Sequence, residues 1–159
     1  MKHPSIRTQI KQTRAFVSPE HEAVLGLRMV AARLLAPWEQ FLKSSADLSS
    51  SQYNVLRILR GSHPNALTCG AIGERTIARD PDVTRLVDRL DARGLVKRTR
   101  SEEDRRVVEV HITKQGLALL REFDPHAQKM PGALIGHVSK TKLRHLANLL
   151  TEVLDGMGT

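Results

Sequence analysis

The chain has 159 residues, of which 40% are apolar and 26% charged, and a formal net charge of +8. That length supports one core-bearing domain with flanking helices, and the charge points to a polyanionic partner, either nucleic acid or an anionic membrane surface. A single cysteine, Cys69, excludes an intramolecular disulfide and a Cys-rich zinc site, and fits a reducing cytoplasm.

Residues 1 to 14 carry Lys2, Arg7, Lys11 and Arg14 and no acid, with Ile6 and Ile10 one helical turn apart. They read as a short helix or a mobile arm, and they lack the apolar run of a secretory signal. Ser18-Pro19-Glu20 has the residue types of a helix start: a hydroxyl at N-cap, proline at N1 and an acid in the first turn. A long helix should follow, with Val24, Leu27, Ala31, Leu34, Leu35, Trp38 and Leu42 near helical spacing. Pro37 is expected to kink or end it. The apolar stretch 23–36 is broken by Arg28 and Arg33, and is too short and too charged to span a membrane.

Ser49 and Gln52 have the spacing of a capping box, and start a helix whose core side holds Leu56 and Leu59 and which Gly61 should end. Pro64-Asn65 turns the chain, and Thr68 can cap a short helix over 69–77. RDPDVTRLVDRLDARGLVKR, residues 79 to 98, then offers Asp80 as N-cap, Pro81 at N1 and Asp82 at the positive end of the dipole. Val83, Leu86, Val87 and Leu90 recur at i, i+3, i+4, i+7 and should be buried; Gly94 suits the left-handed position after the helix. Two short helices a few residues apart form a helix-turn-helix.

Residues 95–100 and 106–112 read as two strands joined by the polar turn Ser101-Glu102-Glu103-Asp104-Arg105, a hairpin with a charged tip. Thr113 caps a further helix, with Ile112 and Leu117 placed to form a hydrophobic staple. Pro125 should bend that helix, and after Pro131-Gly132 Ser139 can cap a last one. Leu143, Leu146, Leu150, Val153 and Met157 step by three and four along it, the spacing of a helix-packing seam. The fold expected is mainly α with a two-stranded β-hairpin wing: a winged helix-turn-helix lobe over 49–112, a helical dimerisation region over 18–48 and 113–159, and a basic arm or short helix over 1–17. The terminal helices carry more apolar surface than so small a lobe can cover, so a homodimer is expected.

The outer face of the helix over 80–93 carries Thr84, Arg85, Asp88 and Arg89. Arg85 and Arg89 lie one turn apart and can each donate a bidentate fork to guanine or phosphate. Residues 79 to 106 hold nine basic and seven acidic residues, so charge alone would describe a solvated face with ion pairs. The hairpin that follows, with arginines at its tip, favours DNA reading instead.

VTRLVDRLDARGLVKR followed by DRRVVEVHITKQGLALL closely resembles the MarR family, the multiple-antibiotic-resistance regulators. SSSQYNVLRILRG resembles the second helix of that family and LTCGAIGER the third. The resemblance runs from about Ser18 to the last helix and is strongest over 80–120. It implies a homodimeric transcriptional regulator, usually a repressor bound to a palindromic DNA operator; many such proteins release DNA when a small aromatic or phenolic effector binds. It implies a recognition helix from Pro81 to Arg93 and a wing whose D-x-R pattern is Asp104-Arg105-Arg106. The DNA-binding set is therefore Pro81, Asp82, Thr84, Arg85, Arg89, Asp104, Arg105 and Arg106. Arg106 suits a narrow A·T minor groove, and Asp104 should orient a wing arginine rather than meet phosphate. Ala71 stands where glutamate is usual, and the last helix begins SKTKL rather than with acids.

An effector would lie between the terminal helices and the lobe, where Arg28 is the candidate for a carboxylate and Trp38 the candidate platform, although Trp38 also reads as core. Cys69 is either a redox-sensing thiol or an ordinary small residue. His137 and His145 are two turns apart, too far for a metal pair on one helix. No nucleophile–base set, phosphate loop or metal motif is found, so neither an enzyme nor a cofactor is expected. The competing readings are an architectural DNA-binding protein without an effector, a thiol-based regulator, and a helical protein-interaction module.

Overall fold

The computed structural model describes residues 5–77, 82–101 and 104–158. Its element order is α1 (Ile6–Gln9), α2 (Pro19–Ala46), α3 (Ser50–Ser62), β1 (Leu67–Thr68), α4 (Cys69–Gly73), α5 (Val83–Ala92), β2 (Val96–Arg100), β3 (Val108–Ile112), α6 (Lys114–Ile135) and α7 (Lys140–Gly156). This is a winged helix-turn-helix with long helices before and after it.

Each helix begins where a side chain can accept an orphan backbone N–H. Ser18 accepts from the His21 amide at 3.3 Å and Thr113 from Gly116 at 3.1 Å. Ser49 and Gln52 close a reciprocal capping box at 3.2 and 3.0 Å. Ser139 starts α7 in the same way. The N-terminal arm is helical over Ile6–Gln9: Gln9 accepts from Arg33 of α2 at 3.0 Å, and a Cβ on Gly26 would stand 2.6 Å from Ile6 Cδ1, so the arm lies close against α2.

Several boundaries differ from the sequence expectation. Helix α2 neither ends nor changes class at Pro37; it runs on to Ala46, and Asp47 in the left-handed region (φ 48°) stops it. Helix α6 contains both Pro125 and Pro131 and passes the Pro131-Gly132 pair to reach Ile135. Proline removes one hydrogen bond from a helix interior, but packing of neighbouring turns holds the helix: Trp38 and Leu42 after Pro37, and Leu120 and Phe123 ahead of Pro125, are buried. Helix α4 stops at Gly73, four residues short of the expected end. The sheet gains a strand that local pattern did not show. β1 pairs antiparallel with β3 (Leu67↔Val110, Thr68↔Glu109), giving the order β1-β3-β2.

The core is the junction of α2's C-terminal half with the lobe. Leu42, Leu56, Leu59, Ile72, Val87, Leu90, Val110 and Leu120 are all essentially inaccessible. The expected stripe of α5 is buried in full, and Val83 Cγ2 comes within 3.6 Å of where a Cβ on Gly73 would be, so α4 packs on α5. Between α3 and α6, Arg60 Nη1 donates to both carboxylate oxygens of Asp124 at 2.9 Å. Outside this core, Val24, Leu27 and Val30 of α2 and Leu146, Leu150 and Val153 of α7 are exposed, and α7 buries none of its residues in the chain. No helix among the described residues is long and apolar enough to cross a membrane.

Gly116 of α6 makes a close approach to the lobe. A Cβ there would lie 2.3 Å from the Leu95 carbonyl oxygen and 2.9 Å from Ile112 Cγ1. Alanine gains about 1 kcal/mol of helix propensity over glycine, but the obstacle is backbone, which cannot swing aside. Gly116→Ala should cost a net of roughly 1–3 kcal/mol and lower Tm by roughly 2–12 °C in a domain of this size. Thermal unfolding followed by circular dichroism checks this; a Tm at or above the native value would show that the Leu95 carbonyl yields.

Candidate nucleic-acid interface

Helix α5 turns its apolar stripe inward, and this fixes what it turns outward. Thr84, Arg85 and Arg89 are exposed on the opposite side. The helix begins at Val83 with Asp82 as N-cap, not with Asp80; Asp80 and Pro81 lie outside the described residues. Asp82 does two jobs with two oxygens. Oδ1 accepts the Arg85 backbone N–H at 3.2 Å, and Oδ2 pairs with Arg85 Nε at 2.9 Å. A carboxylate facing phosphate would be repelled. Here it closes the helix end and aims an arginine whose side chain remains 78% exposed. The same N-terminal turn carries the positive end of the helix dipole, which favours a nearby anion.

The other basic residues of the region are divided between tasks. Arg98 of β2 pairs with Asp88 of α5, tying the strand to the helix. Arg93 reaches the end of α2, donating to the Ala46 and Asp47 carbonyls. Arg89 lines an open cleft of about 740 Å³ at the corner of α2 and α3, with Lys43, Ser49 and Gln52. Sequence reasoning placed Asp88 on the outward face and gave Arg93 and Arg98 no separate roles, because their partners lie on other elements.

The wing is a regular hairpin up to Arg100↔Val108. Its described tip is held by the Ser101 N–H to Val107 carbonyl bond at 3.0 Å and the Val107 N–H to Asp104 carbonyl bond at 2.9 Å. The Asp104 carboxylate accepts the Arg106 backbone N–H at 2.9 Å. So Asp104 sets the turn through the backbone of Arg106, and both Arg105 and Arg106 are exposed at the tip.

A separate cavity lies where the long helices meet the lobe. Trp38 is buried, with Tyr53 edge-on at 4.8 Å and Phe41 stacked at 5.4 Å; Phe41 in turn stacks on His126 at 3.8 Å. Beside this cluster is a cavity of about 210 Å³ lined by Leu34, Trp38, Tyr53, Arg57, Ala127 and Met130. Burial pushes the Tyr53 phenol above its ordinary value, so it is a neutral hydroxyl near pH 7. Arg28 does not join this group. It is exposed on α2, ten residues from Trp38 and so about 15 Å away along the axis. The cation present is Arg57, 6.0 Å from the Tyr53 ring centroid, which sequence spacing gave no reason to choose. Cys69 is half-buried and packs against the core as a free thiol. Among the described residues, no group of three or more His, Cys, Asp or Glu is placed to hold a metal ion.

A helix-turn-helix with an arginine-bearing second helix, followed by a wing with arginines at its tip, defines a winged-helix DNA-binding protein. Comparison with known proteins narrows the class. The MarR family model matches residues 46–107. The HTH-type transcriptional regulator YfiV of Bacillus subtilis is 32% identical over 115 residues, 72% of this chain and 69% of that one. The crystal structure of a MarR transcription factor from Planctomyces limnophilus is 41% identical, covers 86% of this chain and 98% of its own, and superposes with a TM-score of 0.65. Bordetella bronchiseptica BpsR, whose DNA binding is regulated by 6-hydroxynicotinic acid, is 26% identical over 83% of this chain and 98% of its own, with a TM-score of 0.72. The chain belongs to the MarR family of DNA-binding transcriptional regulators.

Proposed function

We propose that this protein acts as a homodimeric, sequence-specific repressor of transcription in the cytoplasm, released from its operator by a small aromatic effector. The observation that carries the reading is the face of α5: Arg85 and Arg89 are exposed one turn apart on a helix whose other side is buried core. Lobe 49–112 does the reading. The exposed apolar residues of α2 and α7 pair two copies, through regions 18–48 and 113–159. Two α5 helices then enter successive major grooves of a palindrome about 34 Å apart. Thr84, Arg85 and Arg89 meet bases or phosphates, Asp82 and Asp104 orient their arginines, and Arg105 and Arg106 follow the neighbouring minor groove. Pro81, outside the described residues, belongs to this set by the resemblance alone.

The effector site we assign is the cavity beside Trp38, with Tyr53 and Arg57 as its polar groups. Its position between the long helices and the lobe supports this, as does the regulation of BpsR by a small aromatic acid. A ligand seated there changes the angle between α2 and the lobe, and so the separation of the two reading helices. Coupling of about 1–3 kcal/mol shifts affinity roughly 5- to 150-fold.

The test is fluorescence anisotropy of labelled DNA from this gene's own upstream region, against scrambled DNA, across a salt series. The expected result is tight binding to the first, weak binding to the second, and a steep loss of affinity with salt for both. Equal affinity for the two would support an architectural protein. No salt-dependent binding by a folded dimer would leave an interaction module. Addition of 6-hydroxynicotinate and salicylate to the operator complex probes the effector site: release that Arg57→Ala abolishes supports it.

A further inference from the structure

Arg85, Arg89 and Arg93 follow one another at i, i+4, i+8 along α5, so the sequence presents them as one basic stripe. The structure removes the third from that stripe. Arg93 is the residue that ends α5, and its guanidinium crosses to the far end of α2. Nη1 donates to the Asp47 carbonyl at 3.0 Å and Nη2 to the Ala46 carbonyl at 2.6 Å. These are carbonyls at the carboxyl end of a 28-residue helix, where the chain turns out of helical geometry at Asp47 and partners must come from elsewhere. A cation is also favoured there by the negative end of the dipole.

The shape of the contact matters as much as its charge. A single hydrogen bond is a pivot, whereas two donors of one rigid planar fork on two successive carbonyls fix direction as well as distance. α5 is thereby oriented against the end of α2, and Arg89, one turn before Arg93, lines the same cleft as the clamp.

We propose that Arg93 is a positioning residue. It sets the orientation of α5 relative to α2 and carries displacements of α2 to Arg85 and Arg89, without itself contacting DNA. This rests on the reading of α5 as the recognition helix. Lysine at this position keeps the charge but presents no planar fork. It would serve a phosphate contact and fail a two-carbonyl clamp.

The experiment uses the full-length protein and compares native, Arg93→Lys, Arg93→Ala and Arg89→Ala on operator and scrambled DNA across a salt series. Circular dichroism checks that each variant is folded; the lysine variant keeps the test intact should the alanine variant not fold. For a positioning residue, both Arg93 variants weaken operator binding by roughly 2- to 30-fold. Their affinity for scrambled DNA and the slope of log affinity against log salt stay native. Restoration by lysine, with the alanine variant's salt slope smaller by about 0.9 per half-site, would mean a direct phosphate contact and overturn the proposal. Native operator affinity in both variants would overturn it as well. If the native protein does not distinguish operator from scrambled DNA, the assignment of α5 falls first and takes this proposal with it.

Discussion

Replacing Leu146 and Val153 of α7 together by glutamate should convert the protein to a folded monomer that has lost most of its operator affinity. Both positions are already exposed within one chain, 44% and 46%, and neither belongs to the buried core, so the protomer should tolerate the change. Glutamate is a good helix former, so α7 itself should persist. Full burial of such side chains is worth roughly 1.5–3 kcal/mol each, and about half of that remains to be gained on pairing. Two positions on each of two chains give roughly 3–6 kcal/mol, or about a 10²- to 10⁴-fold weaker dimer before any cost of burying carboxylates. Losing the second lobe removes the avidity of a two-site contact, which is worth a further 10²–10⁴ in order of magnitude on DNA. Sedimentation equilibrium and anisotropy on the same samples read the two effects. A double variant that stays dimeric would move the interface away from α7; a monomer that keeps native operator affinity would remove the palindrome from the mechanism.

What could be read from the chain was whatever is decided within a few residues. The caps at Ser18, Ser49, Thr113 and Ser139 need only a hydroxyl three residues before a free amide, and all four form. The stripe Val83-Leu86-Val87-Leu90 needs only a period, and it is buried. The chain was less informative where long-range contacts override local preference. In the Asp-Pro-Asp run at 80–82 the sequence pointed to Asp80 as N-cap and Asp82 as a first-turn acid, whereas Asp82 is the N-cap and accepts the Arg85 amide. An end at Pro37 and a break at Pro131-Gly132 were open to the sequence, yet α2 and α6 run through them, since a local cost of about 3 kcal/mol is offset by packing along helices of 28 and 22 residues. β1 exists only because Leu67 meets Val110, forty-three residues on. The candidate effector site was half legible. An indole in an apolar helix can be noticed, but that Arg57 and not Arg28 stands near it depends on how α3 lies on α2. The arginines divide in the same way: composition marks all of them as basic, and only their distant partners separate Arg93, which ties α5 to the end of α2, and Arg98, which ties β2 to α5, from Arg85, Arg89, Arg105 and Arg106.

Arg85 is the substitution from which the largest loss of sequence reading is expected. Its Nε pairs with Asp82 while the side chain stays 78% exposed, so on the proposed reading the fork would meet the groove with part of its freedom already removed. A bidentate arginine–guanine contact discriminates by about 1–3 kcal/mol. A symmetric dimer has two of them, far enough apart to add, so Arg85→Ala should cost roughly 2–6 kcal/mol on the operator, about 30- to 10⁴-fold. The loss should be confined to specific binding, and the variant should no longer distinguish the native operator from one changed at the contacted base pair. Arg106→Ala should behave differently: affinity falls on every sequence, the salt slope shrinks by about 0.9 per half-site, and preference for A·T flanks is lost. Asp82→Asn keeps an acceptor for the Arg85 amide but weakens the charge that steers its side chain, so it should fall between native and Arg85→Ala with α5 intact. Anisotropy titrations of the three variants on a panel of operators with single base-pair changes distinguish these patterns. If Arg85→Ala weakened operator and scrambled DNA by the same factor, Arg85 would be a phosphate contact, and Arg89 or Thr84 on the same exposed face would have to carry the sequence reading.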